Sequence, residues 1–461
     1  MARSLSKRSA EEVLKKDIEE VVTVPEIPFQ IDDKSEPSQV FRKTRKYWVV
    51  IAAFYYFFFV LGLNGGGTGP LLPRYQEFYE VDYLTVSMVF VSNACGSLTA
   101  AGITHFFGKR LQFSTIVIAA SLLPFAGYSI MASAPPFGVM CMCFFINGIN
   151  FSLINVQVNG ILALLPTKTP LGLGHSLFGA GALVAPLIAT QFAQLPRWSF
   201  YYLILLGAAL GNFSSLATVF WGRGLDEILQ EMGIPSAASE ESTSDNDTMS
   251  PVKESPNDST LAPDNHGIIP RQFYTPLLAL FTFICVGVEV SIGGWIVTFI
   301  INERGGGPSS GYVSTGYYAG LSFGRAALIW VNNALGERNA VFLYISLVIA
   351  LELTIWFVHS LIANAVAAAV IGSLLGPLFP IVMSQARQLV PRSSLTASIG
   401  WIAAMGQIGS AMLPFATGAL ANRYGILALQ PLIVAMMTLL GLLWFLVPPV
   451  HKTTNSARAV V

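Results

Sequence analysis

Long apolar runs separated by short polar connections follow one another along most of the chain. A helix needs about 20 apolar residues to cross the hydrocarbon core of a bilayer. Twelve runs have approximately this length, so the pattern predicts twelve membrane-spanning helices: Tyr47–Asn64, Tyr83–Phe107, Phe113–Ala132, Pro136–Leu164, Gly172–Gln194, Ser199–Trp221, Phe273–Ile301, Gly311–Asn332, Ala340–His359, Leu361–Arg387, Leu395–Ala421 and Leu427–Val447.

The composition leads to the same conclusion. Of the 461 residues, 53% are hydrophobic and 11% are charged, and the mean hydropathy is +0.59. Soluble domains carry about 25% charged residues. We therefore predict an all-α integral membrane protein. The polar segments show no pattern of a folded catalytic domain, so an enzyme is not expected.

Polar segments divide the chain into five parts. Residues 1–46 form a polar tail, in which Ser9 and Glu12 predict the start of a short helix. Residues 47–221 form one six-helix bundle and residues 272–449 form a second. Residues 222–271 are rich in Ser, Asp, Glu, Pro and Asn, which predicts a disordered linker. Residues 450–461 form a second polar tail.

The distribution of Lys and Arg predicts the orientation. Residues 1–46 hold ten basic residues, whereas the connections on the opposite side hold only Arg74, Arg197, Arg304 and Arg423. Because basic residues stay on the cytoplasmic side, we expect both termini and the central loop to be cytoplasmic. We further expect a monomer in the plasma membrane.

An internal repeat appears when the chain is aligned with itself at an offset of 228 residues. The matched residues are Gly, Pro, Gln and Arg, which carry backbone or polar constraints. They include Gly65 with Gly293, Gly66 with Gly294, Gly96 with Gly324, Gln157 with Gln385, and Pro186 with Pro414. The repeat predicts two parallel halves related by a pseudo-two-fold axis along the membrane normal.

Related motifs follow the second and eighth spans. The first runs from Gly102 to Gly108-Lys109-Arg110, and a partial copy contains Gly324-Arg325 and Gly336-Glu337-Arg338. With the two parallel halves, these motifs resemble the signature of the major facilitator superfamily. His105 and Phe106 replace the family's Asp and Arg in the first copy. The resemblance implies gating roles for Lys109, Arg110, Arg325, Glu337 and Arg338, with Glu337 or a helix-end carbonyl as the partner of Arg325.

Two further segments, residues 287–295 and 376–380, are similar to the fucose and glucose/galactose permeases and their fungal relatives. This resemblance implies alternating access around a cavity that is lined by helices 1, 4, 7 and 10. It also places acids in helices 1 and 4, where this chain has amides instead. Proton coupling through the first half is therefore not expected.

Amide side chains mark a candidate solute site. Asn147, Asn155 and Asn159 follow a four-residue ladder in helix 4, with Gln157 on another side, and Gln385 is the repeat mate of Gln157. Amides donate to and accept from hydroxyl groups, which favours a neutral, sugar-like solute. The alternative is that they form hydrogen bonds between helices.

Glycine clusters occur at matched places in helices 1 and 7. They are Asn64 followed by Gly65 and Gly66, and Gly293-Gly294 followed by Trp295. Interrupted helices at corresponding positions point to a transporter's binding site. We therefore predict solute contacts from Asn64 and Trp295. Tight helix packing is the alternative.

Glu289 is a candidate for proton coupling because a carboxylate near the middle of a spanning helix is costly unless it faces a cavity or a partner. His175, at the start of helix 5, titrates near neutrality and is a second candidate. Glu352 is a rival acid, but its helix is peripheral in this fold. If none of these groups carries the proton, transport is facilitated diffusion.

Other classes of function find less support. Asp+Glu equals Lys+Arg at 26 residues each, so no nucleic-acid partner is expected. Cys141 and Cys143 lack companion ligands, so neither a metal nor another cofactor is expected. The sequence favours a secondary transporter for a small polar organic solute, with proton symport. The alternatives are a proton-antiporting exporter of a hydrophobic metabolite, from a weak motif at Gly181 to Pro186, and a transport-inactive sensor.

Overall fold

A computed structural model describes residues 45–107, 112–165, 169–232, 273–391 and 394–448. Within these residues the chain forms long helices joined by short connections. They are α1 Arg45–Tyr79, α2 Tyr83–Phe107, α3 Phe113–Ala132, α4 Phe137–Leu164, α5 Thr169–Ala193, α6 Tyr201–Phe220, α7 Tyr274–Arg304, α8 in two pieces (Tyr312–Ala327 and Ile329–Leu335), α9 Glu337–Phe357, α10 Leu361–Leu389, α11 Leu395–Tyr424 and α12 Leu429–Leu446. Lys109 and Arg110 lie outside the described residues, as do the tails and most of the predicted linker.

Eleven helices in the described ranges are long and apolar enough to cross a membrane. The twelfth predicted span is α8, which is interrupted at Leu328 and is therefore shorter in each piece than a full span. The chain is thus a multi-pass, all-α membrane protein, as predicted. We call α1–α6 the first half and α7–α12 the second half.

Two sides of the bundle are named by the chain ends. Successive spans run in opposite directions, so Arg45, where α1 begins, and Leu446, where α12 ends, lie on the same side. We call it the terminal side, and we call the opposite side the far side. Tyr79, at the end of α1, and Arg304, at the end of α7, lie on the far side.

Helix α1 bends at Gly67 and continues to Tyr79. The prediction that this span ends at Asn64 is therefore wrong at its far end. At the bend the Tyr201 hydroxyl donates to the Leu63 carbonyl at 3.3 Å, and a methyl group on Gly67 would collide with that hydroxyl. Tyr201 thus satisfies a carbonyl at the bend, and glycine leaves room for it.

Helix α7 runs without a break from Tyr274 to Arg304, so the interruption predicted at Gly293-Gly294 is wrong. The glycines serve close packing instead. A methyl group on Gly293 would lie 2.5 Å from the Tyr318 hydroxyl, and one on Gly294 would lie 2.8 Å from the Phe90 ring. Gly69 of α1 also packs against the Gly293 carbonyl. Sequence alone does not separate a flexible glycine pair from a tightly packed one.

The predicted linker begins with ordered structure rather than disorder. A short helix, Leu225–Glu231, follows α6, and it buries Ile228 and Leu229. Glu231 pairs with Lys46 at 2.7 Å and with Arg223 at 3.1 Å. The composition of residues 222–271 did not indicate this helix, because the polar stretch that follows it is much longer and dominates the average.

The internal repeat recurs in the packing. Two glycines in the crossing of α2 with α4, and two in the crossing of α8 with α10, approach the carbonyls of the opposite helix so closely that a methyl group would collide with them. The pairs are Gly96 with Phe145, Gly148 with Asn93, Gly324 with Ser373, and Gly376 with Leu321. Each contact in the second half is the one in the first half displaced by 228 residues.

These crossings lead to a stability prediction. We expect Gly96→Ala and Gly324→Ala to destabilise the protein by about 1–3 kcal/mol, because the added methyl group overpacks a backbone contact. Thermal unfolding in detergent micelles measures the effect. Gly102→Ala and Gly400→Ala are matched helical controls, since nothing lies within 4 Å of a methyl group at either position. A melting temperature unchanged in the first pair contradicts the assignment.

Candidate functional site

An ion pair lies at the centre of the bundle. Glu289 stands at the middle of the 31-residue α7, and its Oε1 is 3.3 Å from Nη2 of Arg325 on α8. The two side chains are 15% and 20% exposed. The expected partner of Arg325 was Glu337 or a helix-end carbonyl, and the structure corrects this. Two lone opposite charges in neighbouring apolar helices were the signal in the sequence that could have identified the pair.

The pair lies next to the boundary between the halves. From α5 in the first half, the Phe178 ring centre is 6.0 Å from the Arg325 guanidinium carbon. His175, one turn earlier, packs its ring 5.1 Å from that of Phe58 and is near enough to Arg325 to feel its charge. His175 is nevertheless exposed. The sequence candidates Glu289 and His175 are thus brought close to one cation.

Tyrosines of α8 fix the position of Glu289. The Tyr317 hydroxyl donates to the Glu289 carbonyl at 2.9 Å, and the neighbouring Tyr318 hydroxyl abuts Gly293. Arg325 lies two turns beyond Tyr317 on the same helix. The first piece of α8 therefore holds both the backbone and the carboxylate of Glu289. Sequence reasoning did not select these tyrosines, since aromatic residues are common in spanning helices.

The α4 amides divide into two groups. Asn159 Nδ2 donates to the Asn155 carbonyl and to its Oδ1, both at 2.8 Å, and these side chains are half-buried, as is Gln157. Asn147 is fully buried and its Nδ2 faces Met131 of α3 at 3.7 Å. A four-residue ladder turns about 40° per step, so Asn147 is about 80° away from Asn155. Asn147 therefore joins helices, whereas Asn155, Gln157 and Asn159 remain solute-site candidates.

Asn64 and Trp295, the two solute contacts predicted at the glycine clusters, differ in how deeply they are buried. Asn64 is half-buried and its Oδ1 accepts from the Tyr128 hydroxyl at 2.9 Å. Trp295 is fully buried, and its Nε1 donates to the Pro414 carbonyl at 3.0 Å. Trp295 thus packs α7 against α11 in this conformation, and its role as a platform for a solute stays a prediction.

Gln385 does not meet Gln157 across the pseudo-axis. Its Nε2 donates to Glu337 Oε2 at 2.6 Å, and the Ser384 hydroxyl donates to Oε1 at 2.9 Å. Arg338, beside Glu337, donates to the Val447 and Phe445 carbonyls at the end of α12. These residues tie α9, α10 and α12 together within the second half. Gln385 makes a structural contact in this conformation, and its contact with a solute stays a prediction.

Polar side chains join the halves on the far side. Asn302 of α7 donates to the Tyr83 hydroxyl of α2 at 2.8 Å, and Gln191 of α5 donates to the Tyr312 hydroxyl of α8. Asp82 interacts with Asn422 of α11, and hydrogen bonds from Thr85 hold the pKa of Asp82 below its usual value. We call these three pairs the far-side latch.

Close packing accompanies the far-side latch. Gly69 contacts Gly293, Gly311 contacts Thr190, and a methyl group on Gly418 would lie 2.7 Å from the Ser87 side chain. Further towards the middle, Gly179 packs against Ser322. The contacts between halves among the described residues thus cluster at the far side and at mid-depth. The structure represents a bundle closed on its far side.

Comparisons place this architecture among known proteins. No protein-family model matches the chain. It is 27% identical over 410 residues to Bypass of stop codon protein 6 of Saccharomyces cerevisiae. The alignment covers 85% of this chain and 81% of the yeast protein. A crystal structure of the nucleoside transporter NupG, in a mutant form, matches with a TM-score of 0.64 and 10% identity over 86% of this chain and 99% of that one. The chain therefore has the major facilitator fold, as predicted.

The central ion pair leads to a second stability prediction. We expect Glu289→Ala to destabilise the protein by about 1–3 kcal/mol, because it leaves Arg325 without its partner in a largely dry site. The double variant Glu289→Met/Arg325→Met removes both charges and should recover most of this loss. Thermal unfolding of both single variants and the double variant measures the coupling. If the losses simply add, the two side chains do not stabilise each other.

Proposed function

We propose that the chain is a secondary transporter that moves a small, polar, sugar-like solute across the membrane by alternating access. One observation supports this most directly: the halves are joined on the far side, and a charged pair lies at mid-depth beside their boundary. Opening of the far-side latch, with closure of the opposite side, exposes such a site to each face of the membrane in turn.

The solute site that we propose lies between the central ion pair and the α4 amides. Asn155, Gln157 and Asn159 are half-buried and offer donors and acceptors to hydroxyl groups. Asn64 of α1 remains a candidate on the same grounds. NupG, which shares the fold, is a nucleoside transporter by its name, and nucleosides are also polar, hydroxylated molecules.

The orientation and the coupling belong to the same proposal. The concentration of basic residues before α1 supports a cytoplasmic terminal side, which places the joined far side on the opposite face of the membrane. We place the protein in the plasma membrane. Glu289 is the proposed proton site, because it is a carboxylate at mid-depth whose one charged contact among the described residues is Arg325. A protonated Glu289 crosses the membrane without its charge.

Proton coupling is testable in proteoliposomes that contain a fluorescent pH indicator. We expect an inward solute gradient to acidify the lumen with the unaltered protein and not with Glu289→Gln, because the amide cannot take up a proton. Glu303→Gln, at the end of the same helix, should behave like the unaltered protein. If Glu289→Gln keeps full solute-driven proton movement, the coupling assignment is wrong.

Alternating access is testable by locking the far side. In a protein whose native cysteines are replaced by serine, Tyr83→Cys/Asn302→Cys places two thiols across the halves. A short, reducible bifunctional thiol reagent should stop solute uptake, and dithiothreitol should restore it. Each single-cysteine variant, treated in the same way, controls for simple alkylation. Unchanged uptake in the fully crosslinked protein would show that the far side does not open.

A further inference from the structure

The Arg325 guanidinium has more hydrogen-bonding capacity than its surroundings use. A guanidinium has five N–H donors in a planar fork. Within the described part of the chain, its hydrogen bond runs from Nη2 to Glu289 at 3.3 Å, and Nε is buried without an acceptor. A carboxylate that uses the fork fully makes two parallel, shorter bonds. Glu289 therefore leaves much of the fork free.

The Arg325 side chain lies beside the boundary between the halves and is not fully buried. Arg325 packs over Gly376 of α10 on one side, where a methyl group would lie 3.3 Å from its Cγ, and over the Phe178 ring of the first half on the other. Its side chain keeps 20% exposure. The guanidinium thus sits at the boundary between the halves, with an aromatic face from α5 opposite it.

The charges around Arg325 balance only when Glu289 is ionised. The titratable and charged groups that face the pair are Cys285 on α7, Tyr317 and Tyr318 on α8, and His175 on α5. Glu352, a buried acid on α9, interacts with Tyr317, but the carboxylate that pairs with Arg325 among the described residues is Glu289. With Glu289 ionised, the pair is neutral. When Glu289 takes a proton, Arg325 becomes an uncompensated cation at mid-depth, which is unfavourable in a membrane.

A small organic anion relieves that imbalance. A carboxylate presents two oxygens to the guanidinium fork, which is the geometry that Arg recognises best. We propose that the transported solute carries a carboxylate, that this group binds Arg325, and that it does so when Glu289 is protonated. The hydroxyl groups of the solute meet the α4 amides. This inference rests on the proposed transport function and narrows its substrate to hydroxylated monocarboxylates.

The proposal fixes the stoichiometry and the pH dependence. One proton on Glu289 and one negative charge on the solute cross together, so transport is electroneutral. Since the proton must bind before Arg325 is released, acidification strengthens solute binding. Above the pKa of Glu289, the half-saturating solute concentration should fall by up to tenfold for each unit of decrease in pH.

The test compares carboxylates with their uncharged counterparts in proteoliposomes that contain the full chain and a luminal pH indicator. The probes are gluconate against glucose and lactate against glycerol. We expect gluconate or lactate to acidify the lumen at a rate that an imposed potassium diffusion potential does not change. Luminal acidification by glucose or glycerol, with no response to either carboxylate, overturns the inference but leaves the transport proposal intact. No movement of any probe counts against both.

Two variants separate the roles of the pair. Glu289→Gln should exchange radiolabelled carboxylate across the membrane with an affinity independent of pH and without proton movement. Arg325→Gln should lose the exchange, whereas Arg325→Lys, which keeps the charge but not the fork, should weaken it about tenfold. Arg423→Gln, an exposed cation at the far end of α11, is the matched control and should exchange normally. Melting temperatures establish that each variant is folded, and exchange by folded Arg325→Gln at the unaltered rate overturns the inference.

Discussion

The requirement to keep a carboxylate and a guanidinium together at the middle of a membrane governs much of this structure. Either charge alone has a high free-energy cost at that depth. The cost is lower while the carboxylate and the guanidinium stay close enough to interact. Tyr317 therefore anchors the Glu289 backbone, and Gly376 lets α10 approach the stem of Arg325. The helices that carry the two side chains thus bring Oε1 of Glu289 to 3.3 Å from Nη2 of Arg325.

Glycine packing supplies the rigidity that this arrangement needs. The crossings of α2 with α4 and of α8 with α10 use the same pairs of glycine and carbonyl, so the halves have a common frame. The halves differ where the chemistry differs. Gly181 of α5 contacts the Phe59 carbonyl, whereas its repeat mate Gly409 contacts that of Phe283, one turn away from the position equivalent to Phe59. Helix α7 is thus shifted relative to α1, and it is unbroken and deeply buried.

This shift explains which features could be predicted from the sequence. Apolar run length and the repeat depend on residue type alone, and they led to the correct fold and to nearly all of its helices. The Gly293-Gly294 interruption and the Gln157–Gln385 pair were inferred from the repeat, and the structure shows neither in the second half, where local contacts differ. The partner of Arg325 depends on how α7 and α8 are rotated about their own axes. A sequence pattern specifies such a rotation angle to a few tens of degrees at best.

The contacts of the far-side latch are weak enough to break and form again. Its three pairs join the halves through hydrogen bonds, and the described residues supply no ion pair between them. Each such bond contributes about 0.5–1.5 kcal/mol net, so the polar part of the closure amounts to a few kcal/mol. A ligand shifts a two-state equilibrium only by its difference in affinity for the two states, and differences of a few kcal/mol are within reach of a charged contact. Strong attachment is instead confined within each half, as in the bonds from Ser384 and Gln385 to Glu337. The site proposed for solute and proton thus lies beside a boundary that, among the described residues, is joined by hydrogen bonds rather than by ion pairs, which is the kind of boundary that alternating access requires.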